Sequence, residues 1–137
     1  MSLVENKAVV RRFVDAVFND HAADALYELV APDIMNHVTG ARGIEPFKNI
    51  TMMLLTWAPD MRFTVEHMLA EGDDVMVYGT SGGTQTGEMR FRGRIIPPTN
   101  RPFSSHHVHI FRVRDGKITE HWAVRDDLGM LQQLGAM

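Results

Sequence analysis

A chain of 137 residues, 45% hydrophobic and 23% charged, has the size and composition of one globular domain spanning residues 1–137. Its formal net charge of −3 argues against nucleic acid as a partner, and the absence of cysteine excludes disulfides and thiolate chemistry. No apolar run approaches the roughly 20 residues of a membrane span, and no basic stretch leads into an apolar core at the N-terminus, so membrane contact and a signal peptide are not expected and a cytoplasmic location is.

The first predicted element is a helix from about Val4 to Phe18, with Val9, Phe13, Ala16 and Val17 forming an apolar stripe at helical spacing. Ser2 and Glu5 have the spacing of a capping box at its start. A short helix from about Ala22 to Val30 follows and is expected to end at Pro32. Ile34 to Val38 is short and β-prone, and Gly40 and Gly43 punctuate what comes next. The third helix is predicted over Ile44 to Trp57, with Pro46 in its first turn and Pro59 barring its continuation.

After Pro59 the period changes from helical to two. Met61, Phe63 and Val65 alternate with polar residues as in a half-buried strand, and Glu71-Gly72-Asp73-Asp74 reads as a turn. Val75 to Thr80 starts a second strand that fades through Gly82-Gly83, where glycine suggests a bulge or bend. Glu88 to Ile95 alternates again, with Arg90, Arg92 and Arg94 on one side. These arginines form a solvated strand face, an anion site or a subunit contact. Arg101 to Arg114 is the longest predicted strand, Lys117 to Arg125 the last, and a helix from about Asp127 to Leu134 closes the chain. Helices followed by an antiparallel meander make an α+β fold with helices packed on one face of a bent sheet. Many of the ten methionines fill gaps in its core.

Pro59 to Glu66, Glu71-Gly72-Asp73, Gly83 to Glu88, Ile96 to Arg101, Phe111 to Ile118, and Glu120-His121-Trp122 with Asp126 to Gly135 together resemble the SnoaL-like polyketide cyclases, in order and over nearly the whole chain. The resemblance implies the nuclear-transport-factor-2-like fold, a cone of curved antiparallel sheet wrapped around N-terminal helices with a ligand pocket inside. It also implies cofactor-independent chemistry, such as cyclisation, isomerisation or dehydration, on a small apolar carbonyl compound, and a homodimer formed through the outer face of the sheet. It further implies an acid/base histidine, which falls on His109, and an aspartate general base, whose position falls on Ala123. Alanine cannot do that work, so a binding domain without chemistry is the alternative.

The stretch from His106 to Trp122 holds four of the seven histidines, and the turn at Arg114-Asp115-Gly116-Lys117 decides which of them share a face. A two-residue turn pairs Arg114 with Lys117 and puts His109 and His121 on opposite faces. A three-residue turn pairs Val113 with Lys117, sets His109 opposite His121 and His107 opposite Ala123, and gathers the three histidines, with Arg125 beside them, on one face. The second register is preferred, because the acid/base residues implied by the resemblance must face one cavity.

On this reading His109 leads acid/base catalysis, with His121 and His107 assisting and Asn36 hydrogen-bonding a substrate carbonyl. His37, Trp57, Phe63, Phe111, Ala123 and Asp126 are the candidate ligand-binding residues, although alternation lets only one of Asn36 and His37 point inward. For Asp126 the better-supported reading is an N-cap for the last helix, ahead of a role in the pocket. His106 belongs on the opposite face, and so does Glu120. Three imidazoles can bind zinc, but no acidic residue stands at a supporting spacing, so no metal is expected.

Overall fold

The computed structural model describes residues 2–137. Helix α1, Leu3–Phe13, starts where the Ser2 hydroxyl accepts the backbone N–H of Glu5 at 3.1 Å. It runs into a wider π-helical stretch, Val14–Asn19. That stretch ends where the Asn19 side chain accepts the Phe63 N–H at 2.7 Å and donates to the Phe63 carbonyl at 3.0 Å. A 3-10 turn at Ala23–Ala25 leads into the single-turn α2, Leu26–Leu29.

Strand β1 then occupies Val30–Asn36, passing through Pro32 rather than starting beyond it. The register of β1 breaks between Val30 and Met35, and proline is tolerated in such an irregular stretch because no ladder N–H is required there. Strand β2, Ala41–Arg42, pairs with β1, and α3 covers Ile44–Trp57 as predicted. Strands β3, Arg62–Glu71, and β4, Asp74–Thr84, form a long hairpin. Its bulge at Glu66 lies opposite Gly79, where a Cβ would collide with the Thr64 carbonyl. Strand β4 does not fade at Gly82-Gly83 but pairs through them with the next long strand.

The single strand expected over Glu88 to Ile95 is instead a small hairpin of β5, Met89–Phe91, and β6, Arg94–Ile96. Its turn residues Arg92 and Gly93 both have positive φ, 49° and 76°. A fully buried Gln85 anchors the base of this hairpin. Its amide donates to the Gly87 and Pro97 carbonyls at 2.8 and 3.1 Å, and its oxygen accepts from the Thr99 N–H and hydroxyl at 3.0 and 2.7 Å. Strands β7, Pro102–Arg114, and β8, Lys117–Arg125, and helix α4, Asp127–Gln133, complete the chain.

The six-stranded curved sheet has the order β2-β1-β8-β7-β4-β3. It is mixed rather than purely antiparallel, because β1 runs parallel to β8. The helices pack into its concave face around Phe13, Phe47, Val75, Val77 and Phe111, and a second apolar cluster of Trp57, Met89, Phe103 and Met130 fills the end beside α4. The result is an α+β cone whose inner wall is formed by β7 and β8. Among the described residues no helix is long and apolar enough to cross a membrane.

Candidate functional site

Strand β7 buries alternate residues, so Ser105, His107, His109 and Phe111 face the interior. Which β8 residues meet them is set at the turn. Asp115 and Gly116, with φ of 52° and 76°, form a two-residue primed turn that pairs Arg114 with Lys117. One residue later the register slips: Val113 pairs with Ile118 but Arg112 with Glu120, leaving Thr119 as a bulge whose hydroxyl donates to the Arg112 carbonyl at 3.3 Å. Beyond the bulge His107 faces Arg125, His109 faces Ala123 and Phe111 faces His121. The three-residue turn and the pairings His109–His121 and His107–Ala123 are therefore corrected. The three histidines still share one face, because the actual register differs from the expected one by two residues and a shift of two preserves side-chain direction.

The imidazoles form a chain. His107 Nδ1 lies 3.2 Å from His109 Nε2, and His109 Nδ1 lies 2.9 Å from His121 Nε2. His109 and His121 are about 5% exposed and stack at 5.1 Å, while Phe111 stacks beneath both rings and Phe63 meets His109 edge-on. Burial in this aromatic setting is the main reason that all three rings protonate less readily than a free histidine. His107 is lowered to about 4, with the nearby Arg125 adding to the effect, and His121 to about 3 for the same two reasons. His109 is also lowered well below its usual value, by burial and then by its two histidine neighbours. At neutral pH the chain thus consists of three neutral rings. Each contact needs one N–H and one lone pair, so the three rings share a single hydrogen-bond direction. One end is His121 Nδ1, buried without a partner; the other is His107 Nε2, which has none among the described residues.

This chain forms the wall of an apolar cavity. An inner chamber of about 80 Å³ lies between Phe18, Leu54, Phe63, His107 and His109. It opens into a mouth of about 420 Å³ bounded by Asn36, α3, the β5–β6 hairpin, His121 and Ala123. A side branch of about 40 Å³ runs between Trp57, Phe103 and Asp127. The π-helical stretch supplies Val17 and Phe18 to the inner wall, a placement common for π-turns. A larger, open depression of about 810 Å³, lined by residues such as Leu69, Ile110 and Arg114, has none of the three histidines in its walls.

Asn36 is buried beside His121 in the parallel β1–β8 pairing, and its Oδ1 accepts the Val38 N–H at 3.0 Å. His37 points the other way: it stacks on Trp122 at 4.5 Å and meets Glu120 at 3.0 Å on the outer face, away from the cavity. Phe111 is fully buried in the core beneath the histidines and does not border the cavity. Asp126 is exposed and caps α4, accepting the Gly129 N–H at 2.9 Å. Trp57, Phe63 and Ala123 border the cavity. His106 lies on the outer face against Tyr78.

Sequence reasoning missed Thr51, Ser81 and Asp127 as cavity residues. Asp127 could have been found from its spacing: it lies two residues past Arg125, whose Nε it approaches at 3.7 Å. Among the described residues no group of three or more His, Cys, Asp or Glu side chains is arranged to hold a metal ion.

The sequence profile of the SnoaL-like polyketide cyclases matches residues 8–134. The chain is 34% identical over 126 residues to the nogalonic acid methyl ester cyclase of Streptomyces nogalater, an alignment covering 88% of this chain and 90% of that one. It is 31% identical over 137 residues to the aklanonic acid methyl ester cyclase DauD of Streptomyces sp. strain C5, covering 93% and 80%. Among solved structures, TsrD from Streptomyces laurentii superimposes with a TM-score of 0.87 at 27% identity, over 100% of this chain and 99% of that one.

Proposed function

The chain belongs to the SnoaL-like polyketide cyclase family, and on that premise we propose that it closes a ring in a small, largely apolar polyketide carbonyl compound by cofactor-independent proton transfer. The observation that carries this reading is the chain of three neutral imidazoles along the wall of an apolar cavity. A neutral imidazole presents a lone pair to the acidic carbon, and the low proton affinity that burial gives His107 is offset when an enolate forms beside it.

The sequence alone gives His109 the leading role. Both of its ring nitrogens are engaged by neighbouring histidines, whereas His107 Nε2 has no partner among the described residues. His107 therefore meets the substrate, and His109 and His121 hold its tautomer and spread the charge it acquires. The C–H bond next to a carbonyl breaks, the proton passes to His107 Nε2, and the electron pair moves to the carbonyl oxygen as an enolate. The enolate carbon bonds to a second carbonyl carbon of the same molecule. The oxygen of that carbonyl takes the proton back from His107, which restores the neutral chain. Asn36 lies at the cavity mouth to orient a substrate carbonyl. A base on histidine also accounts for a family member with alanine at position 123.

The methyl esters named for the two cyclase relatives are the first compounds to assay. Ring closure lost in His107→Phe and His109→Phe variants that retain their melting temperature supports the proposal. The second reading, a binding domain without chemistry, is favoured by Ala123 alone. Tight binding of those esters with no turnover in the unmodified protein would establish it. The protein works in the cytoplasm and pairs through the outer face of the sheet, where Leu69, Met76 and Val124 stand exposed. A sedimentation profile with monomer only would contradict the dimer.

A further inference from the structure

Arg125 occupies a position that the acid/base scheme does not use. Among the described residues it is the one charged side chain that borders all three lobes of the cavity, and it stands directly across from His107 in the β7–β8 pairing. Its side chain is 28% exposed, and its Nε comes no nearer than 3.7 Å to Asp127. Among the described residues its guanidinium makes no hydrogen bond, although the group carries five N–H donors in a planar fork. A half-buried cation left this open in an apolar cavity is prepared for an acceptor that is not part of the chain.

The surroundings carry the same sign. Among the described residues Arg62, Arg90, Arg92 and Arg125 border the cavity with Asp127 as the one lining carboxylate, and Arg90 is paired with Glu88 at 3.5 Å, in a protein whose formal charge is −3 overall. Asp127 is shared with Arg92 at 3.9 Å, so it does not neutralise Arg125 alone. The local field therefore favours an anion at the place where the free imidazole nitrogen meets the cavity.

We propose that Arg125 is a catalytic residue that holds the oxyanion. The substrate oxygen that becomes an enolate lies against its guanidinium, next to His107. The inference rests on the acid/base reading above and deepens it: His107 removes the proton and Arg125 stabilises the charge left behind. The two roles fit together: burial and the guanidinium beside the ring keep His107 neutral before substrate binds, and the oxyanion that forms against Arg125 offsets that repulsion as the proton arrives.

The test uses 4-nitrophenol, whose phenol and phenolate forms differ in absorbance. The unmodified protein binds the phenolate in preference to the phenol. Arg125→Met lowers that preference about 10- to 100-fold, the scale of a charge-assisted hydrogen bond, and leaves phenol binding intact. Arg125→Lys retains part of the preference, and Asp127→Asn retains all of it, which separates an anion site from a prop for α4. The proposal is overturned if Arg125→Met binds phenolate as tightly as the unmodified protein, or if the unmodified protein shows no phenolate preference. Failure of the parent reading looks different: no ring closure of the test esters, with phenolate binding still dependent on Arg125.

Discussion

Acidification should destabilise this protein steeply between about pH 7.5 and 5.5. In the unfolded chain His107, His109 and His121 take up protons around the ordinary value of 6.5. In the folded protein burial holds all three neutral until much lower pH, about 4 for His107 and about 3 for His121. A folded-state value depressed in this way gives stability that is full above 6.5 and lost as pH falls toward the folded value. Over this window each ring costs on the order of 1 kcal/mol, and the three together a few kcal/mol, a large part of a typical domain's stability. Glu120 and Asp60 are lowered from 4.5 and 3.8, so their contributions are lost only at lower pH. Urea unfolding at several pH values measures the slope, and His109→Phe should remove about one third of it. A stability that stays flat from about pH 7.5 to 5.5 would refute the reasoning, because it would mean that the folded rings accept protons as freely as the unfolded ones.

Ala123→Asp should place a carboxylate across from His109 and raise the protonation of the histidines, flattening the acid limb of the stability profile; NMR titration of the ring signals checks this. Phe111→Ala should cost about 3 to 5 kcal/mol in urea unfolding, because the ring is fully buried beneath His109 and His121. Gln85→Leu strands the acceptors and donors of the 97–100 loop, and should lower the melting temperature and speed proteolysis within the β5–β6 hairpin.

What the sequence revealed and what it hid have separate physical causes. Helix α3 was legible to the residue because Gly43, Pro46 and Pro59 act locally on the backbone. Strand β8 was legible because a turn and a run of alternating residues bound it. The face shared by His107, His109 and His121 was legible from alternation, but their cross-strand partners were not. The bulge at Thr119 cancels the face reversal that the Asp115-Gly116 turn alone would cause, and no residue type announces it. The same blindness joined β5 to β6: the alternation of Glu88 to Ile95 continues across a turn marked only by Arg92-Gly93. His37 and Asn36 were adjacent candidates with opposite fates, decided by the parallel pairing of β1 with β8, a long-range contact outside any local pattern. Arg125 was visible as a residue on the histidine face, but its unengaged donors only became evident once Asp127 and the cavity walls were in place.

The most direct test of the account is the rate of deuterium uptake from heavy water at the acidic carbon of a test ester, measured with the unmodified protein and with His107→Phe at neutral pH. The account predicts exchange catalysed by the unmodified protein and slowed at least about 100-fold in the variant, the scale of a lost general base, with the fold intact by circular dichroism. Equal exchange rates in the two proteins would contradict it and remove the histidine chain from the chemistry.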